Sequence, residues 1–479
     1  MSTNASIHVR EGKCPFVHRY KTLRKQNGIR MKNIKSFYKE FFFLYIVLVL
    51  QNIVTLSVNL MDNVMLGAYS ETALSGAAAV NQIQFVYQQI LTAMGDGLVI
   101  FCSQYWGKKQ TGTMKKIAAA AMYGALAAAV LLFVLASLCP YQLVGLFTTD
   151  MSIIEAGVQY LGIIRFTYLF FSVTQILLAT LRSVGTVKIA FQLSVMAFCV
   201  NCGINYLLIF GKFGAPKLGI RGAAIGTLAA RILELTILLI YIAVKEKHLH
   251  LKLSDYMYPD KELSRDYIKV TAPMLMVQGL WGVNTALQTV ILGHMTAIAI
   301  AANSAASNLF LLVKSMAVGA ASASAIIIGK LIGKGDFSTV KKCAGRFQRI
   351  YIVIGICSGV LLYFLRVPFL SLYDLKPETM EMANSFLLIL CVVVVGMSYQ
   401  MPVNNGIIRG GGNVAFVVKM DLISIWLIVI PLSAVMAFVV KASPVVVVCC
   451  LNADQIFKCI PAYIEVHYGN WIRKLTRDC

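Results

Sequence analysis

Four polar residues stand where an apolar, membrane-like sequence makes them costly: Asp62, Asn201, Asn205 and Thr227. A carboxylate forced into hydrocarbon must pair, protonate or face water, so it is first of all a functional hypothesis. Asn201 and Asn205 are four residues apart and therefore share one helix face. Asp62 sits near one end of the first apolar stretch, the two amides near the end of the fifth, and Thr227 about two turns into the sixth. At the helical rise, all four fall in one layer, roughly 7 to 15 Å from the outer boundary. An acid, two amides and a hydroxyl at one depth can hold a proton or a bare cation. The other reading is hydrogen bonding between helices that only holds the bundle together.

Further charges lie inside apolar runs. Arg231 and Glu234, three apart, can neutralise each other, as can Asp454 and Lys458, four apart. Asp96 lies near the Lys108-Lys109 turn, which suggests contact with water. Lys314 has no acid within a turn. Asp421 or Asp454 could be its partner, as a structural ion pair or as a coupling element in the second half of the chain.

The elements that must position these residues are long. Apolar residues make up 58% of the chain and charged residues 13%, about half the charged share of a soluble domain. Twelve mostly apolar stretches, near 40–66, 72–103, 117–138, 153–180, 187–211, 220–244, 267–292, 297–328, 347–367, 380–405, 413–438 and 443–466, each reach the ~20 residues of a membrane-crossing helix. They are too long for membrane strands and do not alternate. A repeat runs through them at a spacing of about 226 residues. Val64-Met65-Leu66-Gly67 returns as Val290-Ile291-Leu292-Gly293, Gly107-Lys108 as Gly333-Lys334, and Arg182 with Gly185 as Arg409 with Gly412. Such repeats mark secondary transporters that rock two similar halves about a substrate site. Asp62 has no acidic counterpart; its register match is Gln288.

The net charge of +22 reports topology rather than nucleic-acid binding. With the N-terminus inside, the outer loops hold only Lys212, Lys217, Arg221, Arg366, Lys376 and Lys441, and the other lysines and arginines of the loops and tails lie inside. The positive-inside rule then places both termini in the cytoplasm of a multi-pass protein of the cell membrane. Residues 1–30 read as a basic, disordered tail or an extension ahead of Met31, with no apolar core of a signal peptide. The expected division is a first lobe over 31–245, a cytoplasmic linker over 246–261, a second lobe over 262–466 and a cytoplasmic tail over 467–479. The twelve cysteines match no zinc or disulfide spacing, and Cys199 and Cys202 sit in an apolar helix where packing explains them. His248, His250 and His294 have no metal partner nearby in sequence, so no metal site and no cofactor is expected. Gly410-Gly411-Gly412 lacks the strand and the Gly-Lys-Ser/Thr ending of a phosphate loop.

Several motifs together resemble the multidrug and toxic compound extrusion (MATE) family. They are NLMDNVMLG around Asp62, QYWGKK after the second stretch, and NCGINYLLIFG with LGIRGAAIGT across the fifth and sixth. In the second half IIIGKLIGKGD, IIRGGGN and WLIVIP fit as well. The resemblance covers residues 36–475. It implies an all-α integral membrane protein with twelve transmembrane helices in two pseudo-symmetric six-helix lobes, and export of organic cations in exchange for H⁺ or Na⁺. The family's acid in the first helix falls on Asp62, its polar pair in the fifth on Asn201 and Asn205, and its hydroxyl in the sixth on Thr227. The chain departs from some members in having Asn205 where they carry a second acid. It also lacks the seventh-helix glutamate, the tenth-helix aspartate and the first-helix proline of others. These departures point to coupling through the first lobe.

The expected function is therefore a monomeric antiporter, not an enzyme, that exports small cationic amphipathic compounds from an apolar, aromatic cavity. Its partners would be those compounds and membrane lipid, with no nucleic acid. A lipid-linked oligosaccharide flippase of the same superfamily is the alternative, and it should line its cavity with cations for pyrophosphate.

Overall fold

The structure is a computed structural model that describes residues 15–246, 249–256, 259–371 and 376–477, with side chains from residue 36 onward apart from those of 253, 286 and 297. It divides into two compact units, Met1–Leu44 and Tyr45–Cys479. The first unit carries the leading part of helix α1 (Pro15–Tyr69). Thus the second half of the expected tail, from Pro15, lies in a helix, and residues 1–14 lie outside the described part.

The second unit carries the rest of α1, then α2 (Glu71–Gly107), α3 (Thr111–Leu138), α4 (Met151–Ile164 and Thr167–Ser183), α5 (Lys188–Phe210) and α6 (Ile220–Val244). The second half repeats the set as α7 (Lys261–Met295), α8 (Ala297–Gly333), α9 (Phe337–Leu370), α10 (Pro377–Ile408), α11 (Val414–Val439) and α12 (Pro444–Tyr468). Eleven of the described helices are long and apolar enough to cross a membrane, and the bent α4 makes a twelfth span. Leu131, Leu138, Phe364, Leu427 and Val439 stand exposed on the outside of the bundle. In water such a surface would aggregate; against lipid tails it is the expected face.

The repeat is visible helix by helix. Ser70 and Thr296, at matched positions, both cap a following helix of 37 residues by accepting a backbone N–H, from Ala73 and Ala299. Those helices, α2 and α8, meet at the seam between the halves through small residues four apart. A Cβ on Gly107 would strike Gly333 and the Lys330 carbonyl, and one on Gly329 would strike Ser103. Apolar helices gain little from hydrophobic burial in lipid, so close approach of small residues does the packing. Next to this crossing, Ala93 and Ile100 of α2 cluster with Met274 of α7 and Val414 of α11.

Two irregularities were not expected. The fourth span bends by 52° between its parts. Gly162 stands just ahead of the break, Thr167 turns its hydroxyl onto the Ile164 carbonyl at 2.6 Å, and Arg165 folds over the rings of Phe133 and Phe166. α10 ends in a π turn at Val403–Ile408, which takes one residue more than an α turn. That matches the one-residue shift by which Arg409 lies 227 rather than 226 positions after Arg182.

The linker holds a short 3-10 turn, Leu253–Tyr256, tied to α3 by Lys115 and Asp255 at 2.8 Å. His248 lies outside the described residues. The C-terminal tail returns along the seam. Gln104 of α2 donates to the Arg473 carbonyl and accepts from the Leu475 N–H, while Arg473 N–H reaches the Gly411 carbonyl. Arg477 pairs with Glu262 and Asp266 of α7.

Candidate functional site

The sequence brings α5 and α6 side by side through a tight hairpin. α5 ends at Gly211 in the left-handed conformation (φ 68°), and the Leu218 N–H reaches back to the Leu208 carbonyl at 2.8 Å. Gly222 then packs on the Leu208 backbone, and Gly226 lies so near Asn205 that any Cβ there would collide with Oδ1. The two glycines let α6 approach α5 closely enough for side chains to bond across.

What they bond into is one continuous chain of the four residues singled out above. Asn205 Nδ2 donates to Asp62 Oδ1 at 2.6 Å and leans toward Asn201 Oδ1 at 3.4 Å. Asn201 Nδ2 donates to Thr227 Oγ1 at 3.2 Å, and that hydroxyl donates in turn to the Ala223 carbonyl. Asp62, Asn201 and Asn205 are buried, and Asn205 Oδ1 meets no donor among the described residues. No lysine, arginine or histidine among the described residues lies within ion-pair distance of Asp62; the field that reaches it comes from Arg231. An acid without a paired cation, next to an amide oxygen with a free acceptor, is what a proton or small cation requires.

One residue of this site escaped the sequence reading. Tyr160 of α4 is buried with its hydroxyl toward Thr227 and lies within electrostatic range of Asp62. Its only signal was a tyrosine inside an apolar span, a weak one in a chain with 21 tyrosines.

Beyond Asn201 and Thr227 lies a cavity of about 270 Å³ within the first half, bordered on the side of the second half by Val318 and Ser322 of α8. Asp62 does not line it; the acid sits behind the Asn201–Thr227 wall. The lining was expected to be apolar and aromatic; it is mixed, with Leu48, Val58, Leu91, Leu178 and Val187 beside polar groups and little aromatic surface. Gln51, Asn52, Asn59, Gln88 and Gln175 face the space, and among the described residues Phe171 is its one aromatic. Two arginines, Arg182 and Arg231, and two acids, Asp96 and Glu234, also line it.

The other intramembrane charges singled out in the sequence have partners, Lys314 an aromatic ring and the rest ion pairs. Arg231 pairs with Glu234 at 2.7 Å, as their spacing suggested. Lys458 is held by Asp454 at 3.0 Å and by Asp421 at 2.9 Å. That network runs on through Gln455, Gln400 and Asn404. Lys314 forms no ion pair with either acid; it lies over the Trp281 ring, 5.0 Å from the centroid, with Asp454 at longer electrostatic range. Asp96, expected to meet water, is partly exposed on the cavity wall and also holds Arg182 at 3.0 Å and Arg409 at 3.2 Å. At the position matching Asp62, Gln288 bonds Asn284, so the second lobe has a neutral pair where the first has its acid.

A twelve-span bundle in two repeated halves, with a cavity in the first half that reaches α8 of the second and an unpaired acid behind its wall, is the architecture of a membrane transporter. The MatE family model matches residues 48–207 and 273–435, two thirds of the chain, and the chain belongs to that family, the multidrug and toxic compound extrusion transporters. A probable multidrug resistance protein NorM of Thermotoga maritima is 24% identical over 435 residues, covering 89% of this chain and 92% of the relative. One from Bacillus cereus is 24% identical over 411 residues, covering 85% and 91%. Among solved structures, a Vibrio cholerae MATE transporter, VcmN, superposes with a TM-score of 0.83 at 15% identity, covering 92% of this chain and 98% of that one. A multidrug resistance MATE family transporter in its outward-facing conformation gives 0.81 at 15%, covering 89% and 94%.

Proposed function

We propose that this protein is a secondary active efflux antiporter that exports small organic compounds in exchange for H⁺ or Na⁺, coupled through Asp62 in the first lobe. The hydrogen-bonded chain from Asp62 through Asn205 and Asn201 to Thr227 carries the reading, because it links a buried, unpaired acid to the cavity wall. The names of the NorM relatives support the multidrug part.

Asp62 acts at one remove from the cargo. Ionised, it accepts a strong bond from the Asn205 amide and sets the direction of the amides behind it. When a proton or Na⁺ neutralises it, that bond weakens, Asn205 and Asn201 can turn, and the wall formed with Thr227 presents different donors to the cavity. Neutralisation from outside then goes with release of cargo outward, and loss of the ion inward with renewed binding, as the two lobes alternate in access. Tyr160 is positioned to hold Thr227 in register.

The cavity suits a cargo that carries hydrogen-bonding groups as well as a positive charge, since amides and balanced charges make up much of its wall. The flippase reading is weaker: Arg182 and Arg231 are each held by an acid, which leaves no free cationic floor for a pyrophosphate. The bacterial relatives and the distribution of basic residues support a place in the cell membrane with both termini cytoplasmic.

The decisive experiment uses purified protein in liposomes with a pH or Na⁺ gradient and a cationic dye. Asp62→Asn keeps size and hydrogen bonding but cannot titrate. The expected outcome is a folded protein with gradient-driven export lost; export at near wild-type rate would move the coupling site elsewhere.

A further inference from the structure

Asp96 holds a position no other charged residue of the described bundle shares. Each of its carboxylate oxygens takes one guanidinium: Oδ1 accepts from Arg182 at the end of α4, and Oδ2 from Arg409 just past α10. Arg182 belongs to the first half and Arg409 to the second, and the two are counterparts in the repeat. One acid therefore joins equivalent points of both halves. The other buried ion pairs, Arg231–Glu234 and Lys458 with Asp421 and Asp454, each stay inside one half. Holding a lobe together needs only pairs of that second kind; a bridge across the seam constrains the lobes against each other.

The place of the bridge gives the constraint a direction. Asp96 and Arg182 line the cavity at the end nearest the α2–α8 crossing, where Gly107 meets Gly333 and Ser103 meets Gly329. At that crossing the backbones of α2 and α8 are in close contact. For the cavity to open there, α2 and α8 must part, and Arg409 must leave Asp96. In the second half Asp421 reaches Arg409 only at longer electrostatic range, without an ion pair, and the repeat counterpart of Asp96 is Ser322, which lines the same cavity.

We propose that Asp96 is the clamp residue of the transport cycle, a positioning residue that holds the lobes closed at the α2–α8 end through Arg182 and Arg409. The proposal rests on the transporter reading above, because a clamp between lobes has work only if the lobes move. It acts at a separate place from Asp62. Asp62 sets what the cavity wall offers; Asp96 sets how readily one end of the cavity opens.

Pseudo-symmetry supplies a test that a merely structural bridge would fail. Since Arg182 and Arg409 are related by the repeat, an acid at Ser322 faces the same pair from the other side. The assay places a cysteine on the cavity wall, Ser194→Cys, and measures its modification by a membrane-impermeant maleimide. The reagent is applied on the side of the Lys108-Lys109 turn, and modification is read at that residue by mass spectrometry. Dye export is measured in the same vesicles. Asp96→Ser should speed modification by roughly fivefold or more, the scale of a modest coupling between two states, and lower export. The swap Asp96→Ser with Ser322→Asp should bring back slow modification and most of the export.

Modification and export at wild-type rates in Asp96→Ser would overturn the clamp, as would a swap no better than Asp96→Ser alone. Should Asp96→Ser fail to accumulate in the membrane, the swap decides: an accumulating, exporting double variant supports the clamp, and a lost one refutes it. If the parent protein exports no dye under either gradient, the antiporter reading fails, while the modification rates still report whether the clamp holds that end shut.

Discussion

The two halves have matching helices, and both pair most of their intramembrane charges, but they differ at the position of Asp62. In the first half Asp62 has no cation beside it and leans on neutral amides. In the second, Asp421 and Asp454 share Lys458, and the register match of Asp62 is an amide. A paired acid is held in its charged form and is costly to disturb; an unpaired one can change its charge with far less upheaval. On the antiporter reading proposed above, the acid that exchanges an ion is the one its neighbours leave unneutralised. The repeat makes this visible, because the second half is a control built into the same chain.

If that contrast is right, neutralising each acid should do different things. Asp62→Asn should abolish gradient-driven export with folding intact, the largest functional effect expected here, measured as dye flux in liposomes. Lys458→Met should do the reverse and act on stability first. It strands two carboxylates and should cost about 3–5 kcal/mol, read by thermal unfolding in detergent. Replacing Asp421 and Asp454 by asparagine along with it should recover most of that loss. If Lys458→Met left the melting temperature unchanged, the second-lobe network would be looser than its distances imply.

Smaller changes sharpen the picture. Gly226→Ala forces a Cβ against Asn205 Oδ1 and should cost about 1–3 kcal/mol while slowing export, because the amide must leave Asp62 or α6 must shift. Unchanged export there would mean the Asn205–Asp62 bond is dispensable. Lys314→Met should have the least effect. It removes a cation–π contact worth about 0.5–1 kcal/mol and should leave export within twofold of wild type. Transport abolished in a normally folded Lys314→Met protein would place part of the coupling in the second lobe.

The sequence made the spans and the four-residue chain legible, and the reason is local. Apolar length marks a membrane helix without knowledge of its neighbours, and a polar residue inside such a run draws notice for the same reason. Spacing within one helix also sufficed for Arg231 with Glu234. Contacts between distant segments were not legible. Asp96 was read against the nearby Lys108-Lys109 turn, yet one of its partners, Arg409, lies 313 residues away. The polar share of the cavity lining was not legible, because which side chains face inward depends on contacts between distant helices. The bend in α4 involves one glycine, one hydroxyl and one carbonyl, a detail below the resolution of hydropathy.

Duplication of a gene makes two of everything, but a position shared by both copies has room for one occupant. Asp96 sits at such a position, with an arginine of each half on either side. A second carboxylate opposite would have set like charges face to face; the small, neutral Ser322 avoids this. On the clamp proposed above, the departure from perfect repetition at this point fits one carboxylate between two like halves, while Gly107 against Gly333 joins them by the same residue from each.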